Sequence, residues 1–443
     1  MKKVFNNASL FFLSAISISL YCIAGHPNSI FFCLLFSLVS CLVIVSSYKK
    51  SIEISSAISF FSIANLFAGF IFVIRPVYLL IQGNMLLFPA QLYHNVHRVY
   101  LEYGDLPWAK ASLIGMLGII FLNLPILFSG KDMKLKILSI RASEYKFRNN
   151  QNIALALIAI FGLANAAVFY IRRTQGLSIH IYNLVWVFIF ASLLLYIISR
   201  KRRADFSSYV LIGLAVMFLS LIGRRQYIVN LLICYMIPLY FTGKNRKKTY
   251  ALLSLFVLAT LFIVRIYAEI RGSGQRDLFS GVIGEFSMFD MLMVTDVDFN
   301  LNGIGLFWGY NYLNIFTIPI PRIHIRPFDH LVTDIVFNNM FNGGIPTSLF
   351  GSLYFNFSYI GVCLGSLVLG MILLKAQKKF STDMSYESIG YYSIFATFVY
   401  DIIRVGDVGR EFWSCMTFII VYSFFIFFMR KIRNDTIVLK SAS

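Results

Sequence analysis

Charge is scarce in this sequence. Asp, Glu, Lys and Arg make up 13% of its 443 residues, where a soluble globular chain carries roughly 25%. Acids are the scarcer sign, 20 against 39 Lys and Arg, for a net charge of +19. Nucleotide motifs are missing as well: there is no GxxxxGK[ST] and no GxGxxG between a strand and a helix, which excludes bound ATP as the energy source. No HExxH or equivalent accompanies the histidines, so neither a metal nor any other cofactor is expected. The six cysteines (Cys22, Cys33, Cys41, Cys234, Cys363, Cys415) have no ligand spacing and sit inside apolar runs, as small core residues do. A short basic start precedes the first apolar run but no small-residue cleavage site follows it, so that run is read as a retained helix.

What the chain has is hydrocarbon. Hydrophobic residues are 58% of it and 45 residues are Phe, an excess that needs a lipid solvent. Crossing a bilayer takes about 20 apolar residues. Candidate spans are 6–24, 29–47, 57–81, 111–128, 152–171, 182–199, 207–223, 226–242, 249–268, 351–374, 387–403 and 412–429, the seventh and eighth short enough to form one broken hairpin. The expectation is an all-α polytopic membrane protein of about twelve transmembrane helices. Residues 1–268 hold nine of them, 269–350 form a large extramembrane loop, and 351–443 hold the last three with a tail.

Charge bias orients the spans. With Met1 on the cytoplasmic side, 25 of the 39 basic residues fall in cytoplasmic connections, and both termini are cytoplasmic. Residue type separates the two sides further. Of the 14 basic residues elsewhere, 13 are Arg and the only Lys is Lys110. Topology has no use for arginine outside, whereas its planar fork binds phosphate or carboxylate through paired hydrogen bonds. The outer face thus suits an anionic ligand, the alternative being arginines paired with outer acids or lipid headgroups. No nucleic-acid partner is implied, because the net positive charge is largely loop charge.

Four clusters could carry chemistry. Arg224 and Arg225 lie between two short apolar spans, where a charge needs a partner. Arg271 and Arg276 flank the turn Gly272-Ser273-Gly274, whose backbone N–H groups can turn to an anion. The third cluster runs from Arg322 to His330 and offers His324 and His330 as base or phosphate donor, next to Asp329. The fourth, Arg404 to Glu411, packs Arg404, Asp407, Arg410 and Glu411 around two glycines; mutual salt bridges would satisfy it without a ligand. Between the second and third clusters, acids alternate with Phe, Met and Leu from Glu285 to Asn300, which suits a helix lying at the membrane interface. Phe307, Trp308, Tyr310 and Tyr312 follow, either as faces for sugar rings or as interface aromatics.

Gly343-Gly344-Ile345-Pro346-Thr347-Ser348-Leu349-Phe350-Gly351-Ser352-Leu353-Tyr354-Phe355-Asn356-Phe357-Ser358-Tyr359-Ile360-Gly361 resembles the GGxPxSxxGExYxNFGxxG signature of bacterial oligosaccharide repeat-unit polymerases, the Wzy-type O-antigen polymerases. Arg404-Val405-Gly406-Asp407 resembles that family's late Arg-Gly-Asp element with one residue inserted. Ser352 stands where the family usually has Glu, and Ser358 where it usually has Gly. Topology and length agree over essentially the whole chain.

The resemblance implies a GT-C-like glycosyltransferase bundle in the bacterial inner membrane. It would move a growing glycan from undecaprenyl diphosphate onto an incoming lipid-linked repeat unit at the periplasmic face, with a chain-length regulator as a further partner. Arg224, Arg225, Arg271, Arg276 and Arg404 are candidates for holding the diphosphate, and Asp407, His330 or His324 for general base. Gly343, Gly344 and Gly351 fit a tight re-entrant turn, Pro346 belongs to the motif, and Asn356 fits a bond within the bundle. Two rival functions stay open: an O-antigen ligase, which shares the donor, and a lipid-linked oligosaccharide flippase, which needs no large outer segment.

Overall fold

The computed structural model describes residues 7–24, 29–54, 58–82, 106–129, 187–195, 225–242, 287–320, 327–337, 346–382 and 385–441, with isolated positions between them. All regular structure among these residues is helical. In chain order the helices are α1 (Asn7–Ala24), α2 (Ser29–Ile54), α3 (Phe60–Gly69), a π-helical turn (Phe70–Ile74), α4 (Arg75–Gln82), α5 (Leu106–Leu127), α6 (Arg225–Thr242) and α7 (Met288–Leu301). A 3₁₀ turn (Tyr310–Leu313) then leads into α8 (Asn314–Thr317), α9 (Phe328–Phe337), α10 (Ser348–Thr382), α11 (Tyr386–Val405) and α12 (Val408–Ser441).

Five segments are long and apolar enough to cross a membrane: Ile30–Ile54, Phe60–Ile81, Trp108–Leu127, Ser348–Phe380 and Val408–Phe428. Helix α11 covers the expected span 387–403 but, carrying Asp401 and Arg404, falls short of that apolarity. The expected spans 152–171, 207–223 and 249–268 lie wholly or mostly outside the described residues, and half of 182–199 does. The two faces of α2 give the solvent. Phe32, Phe36, Val39 and Val43 are buried, yet Phe31, Leu34, Leu38 and Val45 on the other side are exposed and just as apolar. A helix facing water would carry polar residues there. The chain is a helical protein built for a membrane. Cysteines follow the same division: Cys33 and Cys234 are buried, but Cys22 and Cys41 point outward from apolar helices, so the expectation of six core cysteines does not hold.

The chain divides into two compact units, residues 1–136, 261–379 and 399–412 forming one, and 137–260, 380–398 and 413–443 the other. In the second, aromatic contacts tie 187–195 to α12 (Phe188 with Phe425, Phe190 with Phe418) and α6 to α11 (Phe241 with Tyr392). Tyr391 hydrogen-bonds Ser423 at 2.8 Å.

In the first unit, α2, α3 and α5 are joined by a buried polar knot. The Asn65 and Asn123 amides exchange two hydrogen bonds of 2.8 and 2.7 Å, and the Ser47 hydroxyl donates to Asn123 Oδ1 at 2.6 Å. In lipid, with no water to take their place, such bonds hold helices together. The described part of the long segment 269–350 packs in this same unit. Helix α7 is buried along nearly its whole length. Arg75 Nε donates to Asp290 Oδ2 at 2.8 Å, Lys110 Nζ to Asp296 Oδ1 at 2.8 Å, and Phe289 meets Phe72 and Trp108. Where the sequence suggested a helix lying at the interface over 285–300, Asp290 and Asp296 meet cations from α4 and α5 rather than water, and Glu285 lies outside the described residues.

Helix α10 is two helices. Phe357 (φ −139°, ψ 17°) and Ser358 (φ 58°, ψ −157°) leave helical geometry. A Cβ at Gly361 would lie 2.7 Å from the Leu353 carbonyl oxygen, and one at Gly365 would meet the Leu353 side chain. In a straight helix residues 353 and 365 would be about 18 Å apart, at 1.5 Å per residue. The short first half thus doubles back on the long second half. The carbonyls orphaned at the break are satisfied from outside, Phe307 N–H donating to Phe355 O at 3.1 Å and Trp308 N–H to Asn356 O at 3.2 Å.

Candidate functional site

The third and fourth sequence clusters and the glycine-rich signature converge in the first unit. Gly344 packs on the start of α9: a Cβ there would lie 2.6 Å from Asp329 Oδ2 and 2.8 Å from His330 N. Gly406, between α11 and α12, has φ 77°, and a Cβ there would run into the Ser348 carbonyl. Ser348 itself has φ 69° and opens α10, its Oγ accepting from Gly351 N–H at 3.4 Å. Gly409 lies against Asn314 of α8. Glycine is what allows these backbones to meet so closely.

Asp407 stands at the centre, 1% exposed. Its Oδ1 accepts the Arg410 backbone N–H at 3.1 Å, capping the N-terminus of α12. Its Oδ2 is buried and makes no hydrogen bond of good geometry among the described residues. Burial is the largest influence on this carboxyl and pushes its pKa up. The Arg410 charge and the backbone N–H groups of Arg410 and Phe328 pull it down, nearby Asp329 raises it further, and the balance lies above the ordinary value.

Arg410 is committed to two other acids. Its Nη1 reaches both Asp329 oxygens, at 3.1 and 3.3 Å, and its Nε donates to Glu411 Oε1 at 3.1 Å. Asp329 and Glu411 are each 6% exposed on the side chain while Arg410 keeps 36%. The self-satisfied reading of the fourth cluster thus holds for Arg410 and Glu411, and the pairing of outer arginines with acids holds for Arg410 and Arg75. Arg404 lies half-buried in the last turn of α11, three residues before Asp407. His330 is half-buried, its backbone N–H donating to Asp329 Oδ1 at 3.1 Å.

Two further buried oxygens in this unit lack partners among the described residues: Asn314 Oδ1, on the residue against which Gly409 packs, and Thr347 Oγ1, next in sequence to Ser348. An unsatisfied buried polar atom costs about 1–3 kcal/mol, so these three oxygens do not serve stability among the described residues. Ser352, at the position where the resemblance has Glu, is fully buried and within 3.3 Å of the Tyr312 hydroxyl. Burial above all, offset in part by the Ser352 bond and reinforced by Asp407, holds Tyr312 well above its ordinary pKa, so it stays a neutral donor. Asn356 accepts from Gly309 N–H at 3.0 Å and donates to the Ser352 carbonyl at 2.7 Å, pinning the top of the short half-helix. The turn itself falls at 357–358, after the small residues Gly344, Pro346 and Gly351.

Arg225 opens α6, and Arg224, Arg271, Arg276, His324 and Gly343 lie outside the described residues. Among the described residues no group of three His, Cys, Asp or Glu is placed to hold a metal. Sequence reasoning missed the Asp329–Arg410 tie and the orphan oxygens of Asn314 and Thr347. Opposite charge in two clusters 81 residues apart was the one available signal. No protein-family model, curated protein or solved structure matches the chain.

Proposed function

We propose that the chain is an oligosaccharide repeat-unit polymerase, a membrane glycosyltransferase that needs no cofactor and takes its donor from undecaprenyl diphosphate. The observation that carries this reading is Asp407: a buried carboxyl with a raised pKa whose Oδ2 makes no hydrogen bond of good geometry among the described residues, three residues after Arg404. A sugar hydroxyl is a ligand that can donate to this oxygen. The resemblance over Gly343–Gly361 and Arg404–Asp407 supports the same class.

In this mechanism the acceptor hydroxyl gives its proton to Asp407 Oδ2. The freed oxygen forms a bond to the anomeric carbon of the growing glycan. The bond from that carbon to the diphosphate oxygen breaks, and its electron pair leaves on the lipid diphosphate. A raised pKa makes Asp407 a stronger base than an ordinary carboxylate. The leaving group needs positive charge, which Arg404 supplies with Arg271 and Arg276 as further donors. Asp329 and Glu411 hold Arg410 and, through its backbone N–H, the Asp407 cap; His330 is the alternative base. The protein works in the bacterial inner membrane with twelve spans, both termini cytoplasmic and the site periplasmic.

A lipopolysaccharide gel from a strain lacking this gene tests the reading. A single repeat unit on the core after deletion, with a ladder restored by the wild-type chain but not by Asp407→Asn, is the expected result. Core with no repeat units at all would reject polymerisation in favour of ligation or flipping.

A further inference from the structure

Residues 299–321 contain no charged side chain, the longest such stretch in what the sequence marks as an extramembrane segment. The structure fixes residues 299–320 of this stretch rather than leaving them to wander. Phe307, Trp308 and Gly309 donate three backbone hydrogen bonds to the break in α10, and the Tyr312 ring stacks on Phe357 at 6.0 Å and 3°. Trp308 is held at φ 50°, a conformation uncommon for a bulky residue, with its side chain outward. On the free side Trp308 is 76% and Phe316 70% exposed, flanked by exposed Leu306, Leu313 and Ile318.

A second apolar surface starts at the break to which Phe307, Trp308 and Gly309 are bonded. The long half of α10 begins at the same break and presents Ile360, Leu364, Val368 and Met371 outward, a stripe at helical spacing within a segment long and apolar enough to cross a membrane. The stripe meets lipid, and a rigid, uncharged surface bonded to its upper end shares that solvent. Of the four aromatics that could present faces to sugars, Phe307 packs edge-on against Phe299 and Phe328, and Tyr312 is covered by Phe357. Trp308 and Tyr310 stay exposed, set among Phe316 and aliphatic side chains in a stretch without charge.

We propose that residues 301–320 form a membrane-embedded shelf, buried among the lipids of the leaflet nearest the Asp407 site. This places the site beside the bilayer surface whatever reaction it carries, so it stands or falls separately from the polymerase reading. The test is a photoreactive phenylalanine at Phe316 and, separately, at Trp308, irradiated in the full chain in native membranes. Ile360 serves as the lipid-facing reference and Lys378 as the solvent-facing one. Phospholipid adducts comparable in yield with those at Ile360, and severalfold above those at Lys378, are expected at both positions. A product of twice the chain mass would overturn the proposal in favour of contact between copies, and a glycan adduct in favour of a sugar platform. Lipid adducts at Ile360 but at neither test position would put the shelf in water.

Discussion

Replacing Ser358 by glycine should make this protein more stable. Ser358 sits at φ 58°, ψ −157°, a region open in practice only to glycine, and a residue held there costs about 1–3 kcal/mol. The conformation is imposed from both sides: Leu353 packs against Gly361 and Gly365 across the break, and the Phe307 and Trp308 N–H groups fasten the carbonyls below it. Glycine would adopt the same geometry without strain, losing about 0.5–1 kcal/mol to its greater freedom in the unfolded chain. The net gain works out at about 0–2.5 kcal/mol, with a midpoint of about 1.2. Thermal unfolding of the detergent-solubilised protein should show it as a Tm rise of about a degree or more, since Tm shifts per kcal/mol shrink with chain length. Ser358→Ala is the control, because it removes the hydroxyl and keeps the Cβ; it should gain nothing. An alanine variant as stable as the glycine one, or a glycine variant less stable than wild type, would refute backbone strain as the cause.

Asp407→Asn should lower transfer activity about 10²–10⁴-fold, the usual worth of a positioned general base, as read by glycan ladder or in vitro turnover. Because the folded protein holds the Asp407 proton more tightly than the unfolded chain does, this group favours the fold at low pH. That contribution is lost as pH rises through the folded pKa. Activity should climb over the same window above the ordinary carboxylate range, and Asn at 407 should flatten both profiles. Gly344→Ala would set a methyl 2.5 Å from Asp329 Cγ, and should cost about 1–3 kcal/mol of stability by unfolding titration while loosening Arg410. Asp290→Ala strips the Arg75 guanidinium of its carboxylate in a buried site and should cost about 3–5 kcal/mol, measured the same way. Arg271→Lys should shorten the glycan ladder more than Lys131→Ala does; equal small effects would undo the argument for arginine as a phosphate fork.

Apolar runs made α1, α2, α5 and α12 legible because lipid rewards length and hydrophobicity with no other pattern required. The break in α10 was not legible in that way. Asn356-Phe357-Ser358 contains neither glycine nor proline, and what permits the fold-back lies downstream, at Gly361 and Gly365 where Leu353 lands. Helix α7 misled for a related reason. Its acids imply water to any reading of neighbours in sequence, but Asp290 and Asp296 meet cations 215 and 186 residues earlier. The site shows both sides of this. Asp407 and Arg410 were visible as one cluster and Asp329 as part of another, but only the fold could bring Asp329 and Arg410 together across 81 residues.

The π-helical turn at Phe70–Ile74 sets the direction of everything after it. Such a turn is an α-helix holding one residue more than its ladder needs, and each residue of an α-helix advances the side chains by about 100°. Arg75 follows immediately, fully buried and facing Asp290. Were one residue lost from Phe70–Ile74, the ladder could close into regular α-helix and the whole of α4 would rotate by about 100°. Arg75 would then sweep away from α7, and Leu79 would leave the interior with it. The extra residue acts as a rotational offset written into the chain, aiming one cation at a carboxylate that arrives more than two hundred residues later.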